Sequence, residues 1–356
     1  MRPSSLAVAI AMAGCGTVHA AGTFITLQTR GAQTTKVSQN GEYLSAYVRG
    51  TGGVRWTRST GAEELVPDMD FSNGINNLGT VSGAVPVDGG IDNGGLDIPA
   101  LSPVSASAPH VLTLPAGVAN TEVFDVSDDG TAVGIAFDSD YVTTAAYYWT
   151  AAGGAIELPV DNAAGGTRAN AISADGRVVA GFNDGTNGFR RGVVWVDRIA
   201  TYVQKPDGAS LGAANAVSGN GAFVVGTDYP MADGSKASWR WNVETGEVTP
   251  IPGIPSVFGV SDDGQTVVGA TGQFDSPSVR LFIWTEAGGT QPFSDYLTAQ
   301  GVNIPLPLPL KGSLTSVSGD GSTIGGWLYT SAGIRSFVVL LNLPDRIFED
   351  GFDTAP

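Results

Sequence analysis

One cysteine, two histidines and four lysines are all that this 356-residue chain offers to the chemistries that depend on them. A single cysteine forms no internal disulfide and no Cys-rich zinc site, and two histidines cannot build a three-histidine metal centre. Basic side chains number 18 against 34 acidic ones, a formal net charge of −16, so the clustered cations that phosphate binding needs are missing and nucleic acid is excluded as a partner. Charged residues make up 15%, well short of the usual ~25%. Past the amino terminus no apolar run approaches membrane-spanning length, which predicts no transmembrane segment in the mature chain. What is abundant is glycine: 50 residues, about 14% against a usual ~7%, with no Gly-X-Y period.

Residues 1–20 read as a secretory signal peptide. Arg2 precedes the apolar run Leu6 to Val18, and Val18-His19-Ala20 offers small residues for cleavage before Ala21. Met12-Ala13-Gly14-Cys15 supports a competing reading, a lipoprotein lipidated at Cys15, which is the minority one because the apolar run continues past the cysteine. Both predict export, to the periplasm, the cell surface or the medium. The mature chain would then keep His110 and no cysteine, closing off Cys-His and Ser-His-Asp catalysis except through that one histidine.

The body, residues 21–344, is organised by a repeat. Val37-Ser38-Gln39-Asn40-Gly41, Val126-Ser127-Asp128-Asp129-Gly130, Ile172-Ser173-Ala174-Asp175-Gly176 and Val217-Ser218-Gly219-Asn220-Gly221 share one pattern. Val260-Ser261-Asp262-Asp263-Gly264 and Val317-Ser318-Gly319-Asp320-Gly321 continue it, and Ile75-Asn76-Asn77-Leu78-Gly79 is a degenerate copy. A short β-branched run, usually ending in glycine, follows the turns, as in Val224-Val225-Gly226, and a third run often carries a tryptophan: Trp56, Trp149, Trp195, Trp241 or Trp284. Asp-Gly or Asn-Gly between two such runs predicts a hairpin with a type I′ turn, both central residues at positive φ. A fourth run completes each unit of four antiparallel strands. The spacing of the turn glycines is that of β-propeller blades, whose face-to-face stacking buries what one small sheet cannot bury alone.

The fold class is therefore all-β, a propeller of seven four-stranded blades, with a six-bladed ring as the alternative because the unit from Ile75 to Pro115 lacks a tryptophan. The final unit lacks a fourth strand while Thr23 to Gln28 resembles one with nothing before it, so this N-terminal strand is predicted to close the last blade. Between Phe293 and Leu310 the repeat is interrupted by a short predicted helix, Ser294 as cap and Gly301 as terminator, and by prolines 305, 307 and 309.

The Val-Ser-Xaa-Asp-Gly-Xaa-Xaa-Val-Val-Gly unit followed by Ala/Gly-Xaa-Xaa-Trp resembles the HAF repeats of secreted bacterial proteins, and it is similar to the Ser-Pro-Asp-Gly blades of TolB-type propellers. The resemblance spans roughly Val37 to Leu341. It implies a propeller and an exported protein, and no particular activity. The tail, residues 345–356, resembles short C-terminal segments of some secreted Gram-negative proteins; a flexible acidic tail is the favoured reading.

The turn aspartates Asp129, Asp175, Asp263 and Asp320 recur because the turn needs them, a structural role. The opposite face, carrying the loops between second and third strands, holds the candidate ligand residues: Asp138, Asp140, Tyr141, Asp184, Arg190, Arg191, Asp228, Tyr229, Asp233, Phe274 and Asp275. Asp138-Ser139-Asp140 and the stretch Asp88 to Asp97 could donate oxygens to calcium, though neither has EF-hand order. No catalytic residue, no resident metal and no cofactor is assigned. His110 reads as structural, the repeated tryptophans as blade packing, and Trp239 and Trp327 stand off that register. The expected function is non-enzymatic: a loop face that binds protein or glycan. The alternative is a calcium-dependent hydrolase or lyase on polysaccharide or lactone, with loop carboxylates as acid and base.

Overall fold

The computed structural model describes residues 22–343, apart from 88–95, 114–117, 119, 138–143, 161–164, 186–188, 229–236 and 272–277. Its strands form seven four-stranded antiparallel sheets, one per repeat. In chain order the blades span residues 33–66, 71–111, 120–157, 167–202, 214–251 and 256–292, and the seventh joins residues 312–340 to the strand Thr23–Arg30. The weak second unit is thus a full blade, and the ring has seven.

Closure follows the sequence expectation. Thr23–Arg30 is the outer strand of the last blade, with Phe24 opposite Val339 and Thr26 opposite Phe337. Phe24 stacks on Phe337 at 5.0 Å between centroids, and Leu27, 1% exposed, packs with Val37, Leu44, Trp56 and Val338 between the seventh and first blades. The Glu63 carboxylate clamps the same strand to the first blade, accepting from the Gln28 and Thr29 backbone N–H groups at 2.6 and 2.9 Å and from Thr29 Oγ1.

The repeated tryptophans occupy one place in the pleat. Trp56, Trp149, Trp195, Trp241 and Trp284 pair across the sheet with Leu44, Ala132, Val179, Val224 and Val267, and all five are buried. They fill the space between neighbouring blades, where their large apolar area is removed from water. The second blade has Ser102 at this position, opposite Val81, and there the guanidinium of Arg55 from the first blade donates to the Ser102 carbonyl at 2.8 Å.

The repeated turn differs from the predicted type. Only the glycine of each turn has positive φ, between 67° and 83° at Gly41, Gly79, Gly130, Gly176, Gly221, Gly264 and Gly321; the Asp or Asn before it does not. The glycine N–H donates to the carbonyl three residues back, as Gly130 does to Ser127 at 3.1 Å, so this is a type I turn followed by a left-handed glycine. The aspartate acts through its side chain: Asp129 Oδ1 accepts from Ser127 Oγ at 2.5 Å and from the Thr131 N–H at 2.9 Å. Asp175, Asp263 and Asp320 repeat this pattern, which bears out their structural role.

Each turn is also bonded to the next around the ring. Asn40 donates to Asn77, Asn77 to Asp128, and Asp128 to the Ala174 carbonyl. Ala174 donates to Gly219, Asn220 to Asp262, Asp262 to Gly319, and Gly319 back to Gln39. All seven junctions on this face carry a hydrogen bond. The helix is Phe293–Ala299, starting two residues earlier than a Ser294 cap predicts, so Ser294 lies within it and Pro292 takes the cap position; Phe293, Tyr296 and Leu297 dock it on the core of the last blade.

Candidate functional site: the central channel

The innermost strand of every blade carries a β-bulge at the same place, three residues before the turn Ser or Asn. The extra residues are Thr35, Asn73, Phe124, Asn170, Asn215, Phe258 and Thr315. A bulge leaves one residue out of the ladder and re-aims its side chain, and here all seven line a single central cavity of about 420 Å³. Three of them also tie blades together. The side-chain amides of Asn73, Asn170 and Asn215 donate to the carbonyls of Val123, Ala214 and Val257, each on the inner strand of the next blade, at 2.8, 2.7 and 3.1 Å. Among the described residues nothing donates to their Oδ1 atoms.

At the turn end the channel narrows. Gln39 reaches from the first blade toward the fifth, where a Cβ on Gly219 would lie 2.7 Å from Gln39 Cγ. One residue past the bulge sits an ion pair that no expectation from the sequence named. Lys36 Nζ bonds both oxygens of Asp125, 2.5 Å to Oδ1, with side-chain exposures of 18% and 2%. Asp125 also accepts from the backbone N–H groups of Val126 and Ile172 at 2.9 and 3.0 Å, so its buried charge is met by three donor groups. Gly74, on the blade between, leaves the room: a Cβ there would fall 2.8 Å from Asp125 Oδ1.

The other end holds a cluster of opposite charges set against aromatic rings. Arg168 lies over the ring of Phe124, Cζ 3.7 Å from the centroid, and Arg190 over Phe182 at 4.1 Å. Arg190 Nε lies 3.6 Å from Asp184 Oδ1, both side chains about half exposed, so the cavity meets solvent here. Glu122 stands beside them. Burial pushes its carboxyl above the ordinary 4.5 and nearby Asp97 adds to this, against the Arg168 charge and a 3.3 Å hydrogen bond from Asn73. Burial likewise lowers the Arg168 guanidinium, with Arg190 acting in the same direction and Glu122 opposing.

Of the residues named from sequence, Asp184 and Arg190 thus lie at the channel mouth. Arg191, on the same strand as Arg190, turns to Asn183 Oδ1 at 2.6 Å and stacks on Tyr202. Asp228 pairs with Lys205 at 2.8 Å beside a separate cavity of about 500 Å³ between the fourth and fifth blades, walled by Leu211, Val248, Pro250 and Trp239. Asp138, Asp140, Tyr141, Tyr229, Asp233, Phe274 and Asp275, and most of the proposed calcium stretches, lie outside the described residues, as do 1–20 and 345–356. Among the described residues no three His, Cys, Asp or Glu side chains come together as metal ligands, and no helix is long and apolar enough to cross a membrane. His110 is exposed on the outermost strand of the second blade, away from the channel. Trp239 is buried opposite Gly226, and Trp327 lines the channel cavity.

Glu122, Arg168, Lys36 and Asp125 were missed because they stand on inner strands, whose sequence reads as repeat scaffold. The column three residues before the turn Ser or Asn gives no signal either, since it varies among Thr, Asn and Phe and its neighbours include Thr34, Lys36, Ser72, Asp125 and Ser316.

No protein-family model matches the chain, and no curated protein does. Among solved structures it is similar to a protein assigned as TolB from Agrobacterium tumefaciens, with 14% identity over 73% of this chain and 79% of that one and a TM-score of 0.41. It is also similar to TolB from Acinetobacter baumannii, with 11% identity over 89% of this chain and 79% of that one and a TM-score of 0.43. At these values nothing about activity or partners passes to this chain; the seven-bladed propeller rests on its own strand order.

Proposed function

We propose that this protein is an exported, non-enzymatic propeller that binds a protein or glycan through its central channel and the loop face onto which the channel opens. The supporting observation is the set of seven bulges, which spends one residue per blade on a shared polar and aromatic lining instead of on the sheet. A ring needing only stability would fill this space with apolar side chains. Concave sites with a few placed polar groups are where propellers and barrels take ligands. The signal-like residues 1–20 and the scarcity of cysteine and histidine fit an exported binding module.

The test is a channel plug. Thr315→Trp puts an indole into the cavity from a bulge position, where it should leave the blade ladder in place. On glycan and peptide arrays the plugged protein, matched in thermal melt to the unmodified one, should lose the binding that the unmodified protein shows. Binding that survives the plug would place the site elsewhere. Intact mass of the exported chain should show a start at Ala21; a lipidated Cys15 would instead make it a lipoprotein.

A further inference from the structure

The loop-face end of the channel holds a guanidinium whose described counter-charge, Glu122, stands beyond ion-pair distance and which no described group meets with a hydrogen bond. Arg168 is half-buried and stacked on Phe124, yet it makes no hydrogen bond and no ion pair within 4.0 Å among the described residues, and its Nε is sealed from solvent. Stacking holds the face of the guanidinium, and with Nε sealed the Nη groups are the donors left for a ligand. Arg190 is close enough to perturb it, is stacked in the same way on Phe182, and among the described residues has only the 3.6 Å contact to Asp184. Two guanidinium groups held on aromatic rings at the opening of a cavity suit a planar oxyanion, which can pair fork-to-fork with one and accept a further N–H bond from the other.

We infer that this end of the channel captures a single peptide carboxylate, the free C-terminus of an otherwise uncharged polypeptide, with Arg168 and Arg190 as its ligands. The inference rests on the channel being the binding site. Three observations narrow the ligand. Glu122 stands beside Arg168 with Asp97 near it, and Asp184 stands beside Arg190, so a run of acidic groups would be repelled where one carboxylate is accepted. The guanidinium groups occupy ring faces of Phe124 and Phe182 that a pyranose would need for stacking, which favours a peptide over a uronate-bearing glycan. Farther along the wall, the Oδ1 acceptors of Asn73, Asn170 and Asn215 suit the N–H groups of an extended backbone.

The test uses the full mature chain and three probes followed by calorimetry: N-acetyl-trialanine with a free carboxylate, the same peptide as its C-terminal amide, and galacturonate. The free acid should bind at least about tenfold more tightly than the amide, the size of one charge-assisted pair. Arg168→Gln should bring the acid down to the amide's affinity, and Arg168→Lys, which keeps charge without the fork, should recover only part of the difference. Both variants are checked by thermal melt, so that loss of binding is not loss of fold. Equal binding of acid and amide, with both abolished by Thr315→Trp, would overturn the carboxylate inference and leave the channel reading standing. Binding indifferent to Thr315→Trp would end both. Galacturonate binding more tightly than the peptide acid would overturn the peptide assignment in favour of a glycan.

Discussion

Asp125 and Glu122 are two carboxylates on one inner strand with opposite provision. Asp125 meets Lys36 and two backbone N–H groups, whereas among the described residues Glu122 has a single long hydrogen bond from Asn73 and the more distant charge of Arg168. Desolvation therefore dominates at Glu122 and raises its carboxyl. The sign of the stability effect follows by linkage. A raised folded value favours the protonated form, so its contribution is fully present below the unfolded value of 4.5 and is lost as pH rises through the folded value. Above the folded value the ionised Glu122 thus weakens the fold relative to acid. Glu122→Gln keeps an acceptor for Asn73 without the charge, so its melting temperature should exceed that of the unmodified protein at pH 7 and converge with it below the unfolded value. A variant less stable at pH 7 would mean that the attraction to Arg168 outweighs the burial. Neither carboxylate was legible as special in the sequence, because what separates them is the set of donors brought from other blades.

At the scale of the element, the turn was legible and its geometry was not. Ser-Xaa-Asp-Gly announced a hairpin corner in each repeat, and the hairpins are there. Whether the residue before the glycine takes positive φ depends on how the turn joins the inner strand, and that strand carries a bulge that shifts the register ahead of each turn. The bulge itself left no signature in the residues, since Thr, Asn and Phe all serve, and so the channel went unread. The left-handed glycine does not cost the same everywhere. A Cβ on Gly130 would meet nothing within 4 Å, while one on Gly221 would fall 2.9 Å from Val178 Cγ2 on the preceding blade. Gly130→Ala should therefore cost about 1 kcal/mol, the strain of positive φ alone. Gly221→Ala adds an overpacking term of about 1–3 kcal/mol at the interface of the fourth and fifth blades. Urea titration of the two variants should give that order; equal losses would show that the interface yields freely.

For the whole molecule, the ring is closed twice by different means. On the turn face, seven hydrogen-bonded junctions run from blade to blade and return to the first. At the rim, closure depends on the strand Thr23–Arg30, which fills the seventh blade from the chain's other end and places Leu27 in the core shared with the first. The need for a borrowed strand was legible as a missing fourth run; its clamp, the Glu63 carboxylate on Gln28 and Thr29, was not, since Glu63 lies on an ordinary outer strand until the ring brings it round. A chain beginning at Ala32 would leave an open strand edge with Phe337 and Val338 uncovered, and would lose the burial of Leu27, by itself worth about 2–5 kcal/mol in a packed core. It should melt well below the chain beginning at Gly22 and self-associate through the open edge. If the loss is of closure and not of general stability, a synthetic peptide of residues 22–31 should restore the melting temperature in a concentration-dependent way, because it binds the folded ring alone. Calorimetry of the shortened chain across a series of peptide concentrations separates the two cases. A melting temperature unchanged by the truncation would mean that the seven turn-face junctions hold the ring without its borrowed strand. A depressed one indifferent to the peptide would mean that the strand acts during folding and not in the closed state.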